Sequence, residues 1–334
     1  MMVRVAVVGA GFWGVNHLRV LKELSDVELV AVVDLDVGRA EKAAKRFGVA
    51  SFFKHLDEML KTVKPDAVTI CTPSTTHAPI ALKLLEAGCD ILIEKPMSTN
   101  VEEAARIIEQ ADRTGRTVMV GFIERFNPVV QLAHKLISEG EIGDVLLMYS
   151  RRIGSWPERI GDTGVVKDTA IHDIDLAGWI LNEVPETVYA KCGRLRHSHE
   201  DHAQVFLSYG EKRSALMEAN WLTPRKKREM HITGEKGVVS IRFIEQELVV
   251  EKAEQLTIPN IPYSEPLKRE LAHFVECIHA GRQPLVNALD GLKAIFIADC
   301  ILMSSDINEP VKTAEAAQKM KIPSRLLQHG AARI

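Results

Sequence analysis

Short apolar runs alternate with amphipathic segments along the first third of the chain. Residues 3–8 and 28–33 are mostly β-branched runs of strand length, and a segment with helical spacing of its apolar positions follows each run. Further strands are predicted over 50–53, 67–71, 90–93 and 117–121, and further helices over 37–47, 56–62, 78–87 and 100–113. This alternation predicts an α/β domain with a doubly wound parallel sheet, in which ligands bind beyond the carboxyl ends of the strands.

The pattern changes near Gly121. A helix over 129–138, a strand over 143–152, a loop over 154–165 and a helix over 168–181 are predicted first. Strand-like runs then follow one another at 187–196, 203–209, 214–222, 230–234, 238–243 and 247–251, before helices over 266–280 and 288–304. Consecutive strands without helices between them predict a second α/β domain with a large open, mainly antiparallel sheet.

A glycine-rich turn joins the first strand to the first helix, with Gly9, Gly11 and Gly14 in the spacing G-x-G-x-x-G. The first glycine permits the tight turn, the second lets the backbone approach a pyrophosphate, and the third lets the helix pack closely. The second strand ends at Asp34, where an acidic residue binds a ribose 2′-hydroxyl and repels a 2′-phosphate. The sequence therefore predicts a dinucleotide site that favours NAD over NADP, although Arg39 is near enough to meet a phosphate.

The predicted helix over 168–181 carries the candidate catalytic residues. On a regular helix, Asp168, His172 and Asp175 share one face because they lie at i, i+4 and i+7. A carboxylate one turn from a histidine fixes its tautomer, and histidine is the usual side chain for moving protons near neutral pH. The alternatives are a purely structural hydrogen-bonded pair and a metal site. We expect no metal, because no Cys/His set supplies the further ligands of a closed site.

Lys95 lies between Glu94 and Pro96 at the carboxyl end of a predicted strand. An ammonium group there can hydrogen-bond a substrate hydroxyl and stabilise an alkoxide, whereas the alternative is a solvated lysine paired with Glu94. His77 follows another strand end, where we expect it to cap the next helix or contact the cofactor. The predicted cofactor contacts are Gly9, Gly11, Phe12, Trp13, Gly14, Asp34, Thr72, Pro73, His77, Glu94 and Lys95.

Two charged or polar segments of the second domain need an interpretation. Residues 197–202 read His-Ser-His-Glu-Asp-His, but they lie between two predicted strands, so we interpret them as a solvated turn. Residues 224–228 read Pro-Arg-Lys-Lys-Arg and form a short basic run in a turn. This run is either a solubilising loop or a clamp on an anionic group such as a diphosphate.

Composition excludes several classes of protein. The 334 residues carry a net charge of −3, which favours neither a nucleic-acid nor a membrane partner. The apolar runs are shorter than the ~18–20 residues of a membrane span. The five cysteines show no CxxC spacing and the amino terminus runs straight into a strand, so we expect a cytoplasmic protein with reduced thiols and no signal peptide.

These residues together resemble the Gfo/Idh/MocA oxidoreductase family along almost the whole chain. The matching features are the glycine-rich turn, Thr72-Pro73 with His77, Glu94-Lys95-Pro96, Asp168 with His172, and the start of the late helix at 287–294. Residues 123–128, 168–173 and 220–224 are similar to the UDP-N-acetylglucosamine 3-dehydrogenases of that family. The resemblance implies a Rossmann domain over 1–122, a substrate-binding and oligomerisation domain over 123–310, and a tail over 311–334 that packs back on the core.

The resemblance also implies a reaction. Lys95 and His172 would be the catalytic pair, supported by Asp168, in an NAD-dependent oxidation of a secondary hydroxyl on a sugar ring. We expect C3 of a UDP-N-acetylhexosamine, either UDP-N-acetylglucosamine or its uronate; whether the lysine or the histidine is the general base stays open. The implied substrate contacts are Lys95, Arg125, Asn127, Asp168, His172, Arg225 and Lys226.

Two alternatives to this substrate remain. One is a dehydrogenase of a free polyol or sugar such as myo-inositol. The other, from a different class, is a non-catalytic protein that senses a dinucleotide or sugar, because a fold alone does not establish activity. In either case, the resemblance implies a homodimer or homotetramer formed through the sheet of the second domain.

Overall fold

The structure is a computed structural model that describes residues 2–157 and 162–327. Its contacts divide the chain into two compact units. The first contains Met1–Ile123 and Glu265–Leu292, and the second contains Glu124–Ser264 and Lys293–Ile334. The sequence-based boundaries treat 123–310 as one continuous domain, whereas the contacts group 265–292 with the nucleotide-binding fold.

The first unit is built on a six-stranded parallel sheet with the strand order β3-β2-β1-β4-β5-β6. Its strands are β1 (Val3–Val8), β2 (Val27–Val33), β3 (Phe52–Phe53), β4 (Ala67–Ile70), β5 (Asp90–Glu94) and β6 (Val118–Gly121). Its helices are α1 (Phe12–Glu23), α2 (Val37–Phe47), α3 (Leu56–Thr62), α4 (His77–Glu86), α5 (Val101–Thr114) and α8 (Pro266–Ala280). The central strands are almost fully buried, as a parallel sheet covered on both faces requires.

Local chemistry explains where these helices begin and end. The Asp36 side chain accepts a hydrogen bond from the Arg39 backbone N–H at the start of α2 (3.1 Å), and Asn100 does the same for Glu103 at the start of α5 (2.9 Å). Such caps satisfy backbone donors that have no partner inside the helix. The predicted bounds of both helices are therefore within a residue of those observed.

The second unit contains a nine-stranded sheet with the order β14-β13-β12-β11-β7-β10-β9-β8-β15. The strands are β7 (Val145–Ile153), β8 (Thr187–Gly193), β9 (His202–Tyr209), β10 (Arg213–Asn220), β11 (Lys227–Gly234), β12 (Gly237–Arg242), β13 (Glu247–Lys252), β14 (Gln255–Thr257) and β15 (Val311–Lys312). All neighbours described are antiparallel except β7 and β10, which are parallel. The predicted fold class is confirmed.

Helices complete the second unit. They are α6 (Pro128–Ser138), α7 (Ile171–Leu181), α10 (Thr313–Lys319) and α11 (Ser324–Leu327), and the division between the units falls within α9 (Ala288–Ile307). The segment expected as a tail contributes β15, which pairs with β8, and the Thr313 hydroxyl donates to the Pro185 carbonyl (2.6 Å). Part of the predicted loop over 154–165, residues 158–161, lies outside the described residues.

Candidate active site

The glycine-rich turn has the geometry that its spacing predicts. Gly9 adopts φ +93°, and a Cβ there would lie 2.6 Å from the Cys71 carbonyl oxygen. A Cβ on Gly14 would lie 1.7 Å from the Gly9 carbonyl oxygen, whereas a Cβ on Gly11 would meet no protein atom within 4 Å. The open position at Gly11, at the amino end of α1, fits a pyrophosphate because free backbone N–H groups and the helix dipole favour an anion there.

Asp34 joins this turn to the end of β2. Its carboxylate accepts hydrogen bonds from the Ala10 N–H (2.8 Å) and the Asp36 N–H (2.9 Å). Arg39, which is mostly exposed, lies 3.9 Å from the Asp34 carboxylate and 3.8 Å from that of Asp36. Asp34, the residue predicted to bind the ribose, is therefore held beside the glycine-rich turn, and the nearby Arg39 faces two carboxylates. These groups fit NAD, whose ribose carries a free 2′-hydroxyl.

The other predicted cofactor contacts lie in the same unit, at the start of α1 and at or just after the ends of β4 and β5. Phe12 is 64% exposed and packs edge-on against Trp13, with ring centroids 5.6 Å apart. The buried His77 ring lies with Nδ1 2.8 Å from the Pro96 carbonyl and Nε2 2.8 Å from the Thr72 carbonyl. His77 thus ties the turn after β4 to the turn that follows Lys95, rather than capping α4.

Lys95 is half-buried, and its neighbour Glu94 turns inward. One Glu94 oxygen lies 3.0 Å from the Nε2 of His17, and the other accepts the Lys95 backbone N–H (3.2 Å). The Glu94 carboxylate therefore supports the lysine main chain.

The segment that carries Asp168 differs from the prediction. Residues Val166–Ala170 form a π-helical turn, and the α-helix begins only at Ile171. Because a π turn is wider than an α turn, Asp168 and His172 are not related by the regular spacing on which the sequence argument depended. Single π turns inserted in α-helices are frequent at functional sites. His172 itself is buried, with 7% of its surface exposed.

A hydrogen-bonded chain leads from Asp168 to a tryptophan. The Thr169 hydroxyl donates to an Asp168 oxygen (3.1 Å) and accepts from the Trp221 indole N–H (2.9 Å). The Trp221 ring packs edge-on against Trp156, with centroids 5.8 Å apart, and against His197, 5.6 Å away. Thr169, Trp156 and Trp221 were missed as site residues, because their sequence separation gives no sign that they meet.

The polar stretch over 197–202 is more than a solvated turn. The Val166 N–H donates to the Glu200 side chain (3.1 Å), so Glu200 supports the start of the π turn. Asp201 is fully buried and accepts backbone N–H groups of Leu195 (2.8 Å) and Arg196 (2.7 Å). Burial alone would raise the pKa of Asp201, but these donors and the His202 ring hold the pKa below its ordinary value. The stretch is thus a folded support for the Asp168 segment.

Arg125 and Asn127, the predicted substrate contacts beside α6, are buried and bound to protein partners. Arg125 donates twice to Asp175, at 2.8 and 2.6 Å, and lies over the Trp179 ring. Asn127 caps α6 by accepting the Val129 N–H (3.4 Å) and donates to the Phe243 carbonyl (3.1 Å). These contacts give both residues structural roles, and their roles in substrate binding stay predictions.

The second unit contains a further buried cluster of charged residues besides the Arg125–Asp175 pair. Arg152 donates to Glu124 (2.7 Å) and to Asp173 (2.8 Å), and all three side chains are at least nine-tenths buried. Burial alone would raise the pKa of Glu124, but the charges of Arg152 and Arg228 outweigh it and hold the pKa below its ordinary value. Such a network is costly to break, because removing one partner leaves a buried charge uncompensated.

The basic run over 224–228 divides into two parts. Arg225, Lys226 and Lys227 are exposed, whereas the Arg228 side chain is one-third exposed and lies 3.4 Å from Glu124. The loop is fixed to the strand end opposite: the Thr223 N–H donates to the Gly154 carbonyl (3.1 Å), and a Cβ on Gly154 would lie 3.7 Å from the Lys226 Cα. Two exposed cations thus stand on an ordered loop that begins directly after Trp221.

Within the described ranges, no helix combines the length and the apolar character that crossing a bilayer requires. The cytoplasmic location expected from the sequence stays a prediction.

Comparison with known proteins identifies the family. A model described as the oxidoreductase family, NAD-binding Rossmann fold, matches residues 3–122, and one described as the GFO/IDH/MocA C-terminal domain matches residues 130–240. The chain belongs to the Gfo/Idh/MocA oxidoreductase family. The predicted family, the NAD cofactor and the assignment as an NAD-dependent dehydrogenase are therefore confirmed.

Curated relatives of this Gfo/Idh/MocA chain carry the names of inositol dehydrogenases. The scyllo-inositol 2-dehydrogenase (NAD(+)) of Bacillus subtilis is 29% identical over 307 residues, which cover 86% of this chain and 90% of the relative. The inositol 2-dehydrogenase of Rhizobium meliloti is 28% identical and covers 91% of this chain and 97% of its own.

Solved structures share the fold. UDP-N-acetylglucosamine 3-dehydrogenase from Acidithiobacillus ferrooxidans superposes with a TM-score of 0.85 at 24% identity, covering 92% of this chain and 99% of its own. Apo scyllo-inositol dehydrogenase from Lactobacillus casei superposes with a TM-score of 0.82 at 22% identity, covering 94% and 98%. Both kinds of substrate therefore occur among proteins with this fold.

Proposed function

We propose that this dehydrogenase oxidises a secondary hydroxyl on a sugar ring, at C3 of a UDP-N-acetylhexosamine. The observation that carries the proposal is the connection in the second unit between the candidate catalytic segment and two exposed cations. Asp168 is hydrogen-bonded through Thr169 to Trp221, and the loop that begins after Trp221 presents Arg225 and Lys226. Arginine and lysine are the side chains that bind phosphate groups.

Each candidate residue has a distinct role in this proposal. His172 accepts the hydroxyl proton, Lys95 hydrogen-bonds the same oxygen and stabilises its developing negative charge, and Asp168 orients the histidine. The alcohol carbon loses a hydride and the oxygen loses a proton, so a ketone results. When bound, NAD supplies the hydride acceptor. The reverse assignment, with Lys95 as the base and His172 as its helper, is chemically equivalent in its proton balance.

The geometry of the second unit supports the assignment of Asp168 as a positioning group. Its oxygen accepts from a hydroxyl that itself accepts an indole N–H, so the Trp221 donor polarises the Thr169 hydroxyl. The Glu200 side chain holds the backbone of the turn just before Asp168. Fixing a catalytic group within a fraction of an ångström is what converts binding into rate acceleration.

A second substrate class has its own support. The curated relatives over most of the chain are inositol dehydrogenases. A free polyol carries no phosphate, so in that case the exposed cations at 225 and 226 would not contact substrate. A non-catalytic sensor, the remaining alternative, conflicts with membership of an oxidoreductase family.

The test is NADH formation from NAD with four compounds: UDP-N-acetylglucosamine, UDP-N-acetylglucosaminuronate, myo-inositol and glucose. Turnover of the UDP sugars with a 3-keto product supports the proposal. Turnover confined to myo-inositol or glucose refutes the UDP-sugar assignment and leaves the roles of Lys95 and His172 to be tested with the polyol.

A double variant tests the cations directly. Arg225→Ala with Lys226→Ala should raise KM for the UDP sugar at least tenfold and change kcat little. The reason is that the lost contacts bind the substrate and the transition state equally. The matched control is Lys212→Ala with Lys236→Ala, which removes two exposed cations at the opposite ends of β10 and β11. An equal KM increase in the control would show a general charge effect and contradict a clamp.

We also propose assembly through the outer face of the second sheet. Tyr189, Phe206 and Leu216 are directly opposite one another on β8, β9 and β10, and each is between 41% and 46% exposed. A row of exposed apolar side chains across neighbouring strands is typical of an interface. This row supports the predicted homodimer or homotetramer.

A further inference from the structure

A cluster of buried ionisable groups lies in the first unit, apart from the proposed proton transfer. His17 on α1 is fully buried, Glu270 on α8 is fully buried, and Glu94 at the end of β5 is 7% exposed. Helices α1 and α8 pack against each other. The cluster therefore lies beneath the helix that follows the glycine-rich turn, and Glu94 is the residue directly before Lys95.

Glu94 has an identified partner at each of its two carboxyl oxygens. One of its oxygens lies 3.0 Å from the His17 Nε2, and the other accepts the Lys95 backbone N–H (3.2 Å). The site is also tightly packed, since a Cβ on Gly121 would lie 3.2 Å from a Glu94 carboxyl oxygen. These contacts suit a charged carboxylate that is fixed in place.

Glu270 has a different environment. Neither of its carboxyl oxygens has a hydrogen-bond partner within the described part of the chain. An isolated carboxylate in such surroundings costs far more free energy than the neutral acid. Burial first, and the negative charge of Glu94 second, raise the pKa of Glu270 well above its ordinary value. Of two neighbouring buried carboxyl groups, one keeps its charge and the other its proton.

We propose that Glu270 is a neutral acid in the folded enzyme and that, together with His17, it keeps Glu94 as the single fixed carboxylate behind Lys95. His17 and Glu270 are then positioning residues for the lysine. The charged form of Glu270 would place a second negative charge near Glu94. The positioning role rests on the catalytic role proposed for Lys95, whereas the protonation state does not.

The first experiment measures the proton directly. The infrared spectrum of the wild-type protein at neutral pH should contain the C=O band of a protonated carboxylic acid, and Glu270→Gln should abolish it. The matched control is Glu276→Gln, which changes an exposed acid on the same helix and should leave the band intact. A folded Glu270→Gln protein that retains the band overturns the proposal. If Glu270→Gln fails to fold, the wild-type spectrum still decides, because absence of the band at neutral pH overturns the proposal.

The pH dependence of stability gives a second readout. Since the pKa of Glu270 is raised in the folded state, its stabilising contribution is fully present below the unfolded pKa and is lost as pH rises toward the folded pKa. The ionisable groups close enough to interact with it are Glu94 and the Cys71 thiol, whose pKa is itself raised by burial and then by Glu94, and the packed helix α1 carries the buried His17. Relative to Glu270→Gln, the wild-type unfolding constant should increase about tenfold for each pH unit above ~4.3. Parallel pH profiles for the two proteins would contradict the proposal.

The positioning role is tested with a pair of His17 variants. His17→Leu removes the partner of Glu94, whereas His17→Gln can present an amide N–H near the position of Nε2. We expect kcat to fall about tenfold to a hundredfold in the first and to recover in the second, with the Kd for NAD nearly unchanged in both. Equal kcat values in the leucine variant and wild type would overturn the positioning role. If no substrate is turned over, the function proposal fails, while the infrared result still decides the protonation state.

Discussion

The glycine-rich turn allows a sharp test, because two of its glycines have opposite surroundings. Gly11→Ala adds a methyl group that meets no protein atom within 4 Å, and Gly11 has φ −74°, which alanine adopts readily. Gly14→Ala adds the same group 1.7 Å from the Gly9 carbonyl oxygen. Gly11→Ala should therefore weaken binding of NAD, and Gly14→Ala should lower the stability of the fold.

The expected change in the free energy of unfolding at each glycine follows from these surroundings. At Gly11, alanine is a poorer N-cap than glycine but loses less chain entropy on folding, so the free energy of unfolding should stay within about 1 kcal/mol of wild type. At Gly14, a backbone carbonyl cannot rotate away, so relief requires β1 or α1 to move by more than 1 Å. Overpacking of this kind costs about 1–3 kcal/mol or more, against a gain of about 1 kcal/mol in helix propensity.

The assay compares thermal unfolding with NAD titration. Gly11→Ala should keep its Tm and weaken NAD binding at least tenfold, which is about 1.4 kcal/mol. Gly14→Ala should lower the Tm by roughly 2–4 °C for each kcal/mol lost. Wild-type affinity in the Gly11 variant, or a wild-type Tm in the Gly14 variant, would show that the turn does not hold the cofactor as argued.

Three further predictions concern other parts of the molecule. Lys95→Ala and His172→Ala should each lower kcat about 10²–10⁴-fold while the Kd for NAD stays nearly constant in isothermal titration; a parallel loss of NAD binding would contradict catalytic roles. Arg152→Ala should lower the free energy of unfolding by about 3–5 kcal/mol in urea titrations, because it strands two buried carboxylates, and a loss below 1 kcal/mol would mean that they are otherwise neutralised. Phe206→Asp should reduce the mass measured by light scattering to that of a smaller assembly, and an unchanged mass would exclude this face as the interface.

The first unit could be predicted from the sequence because its signals are local. The glycine spacing, the acidic residue at the end of β2 and the caps of α2 and α5 all involve residues within a few positions of one another. Even the placement of Lys95 follows from one strand and one proline. Local patterns of this kind determine where a strand ends, and in a parallel sheet strand ends determine where ligands bind.

The second unit shows where such reasoning stops. The Asp168–Thr169–Trp221 chain joins residues about fifty positions apart, and the Arg125–Asp175 pair spans a similar separation. The sequence reveals charged and aromatic residues but not which of them meet, because that depends on how segments far apart in the chain pack together. The π turn is likewise not predictable from the spacing of residues in the sequence. Its support by Glu200 comes from a stretch that its position between two predicted strands assigned to a solvated turn.

The basic run shows how the structure changes a functional argument. From the sequence, the four cations at 225–228 are equivalent members of one patch. Strand β11 begins at Lys227, and because side chains alternate along a strand, Arg228 faces inward and joins the buried Glu124 cluster. Burial lowers the pKa of Arg228, and the charge of Arg152 lowers it further, so this partly buried arginine is bound to the protein rather than presented to solvent with Arg225 and Lys226. Only Arg225 and Lys226 precede the strand, and they are the two residues whose removal should weaken binding of a diphosphate without weakening the fold.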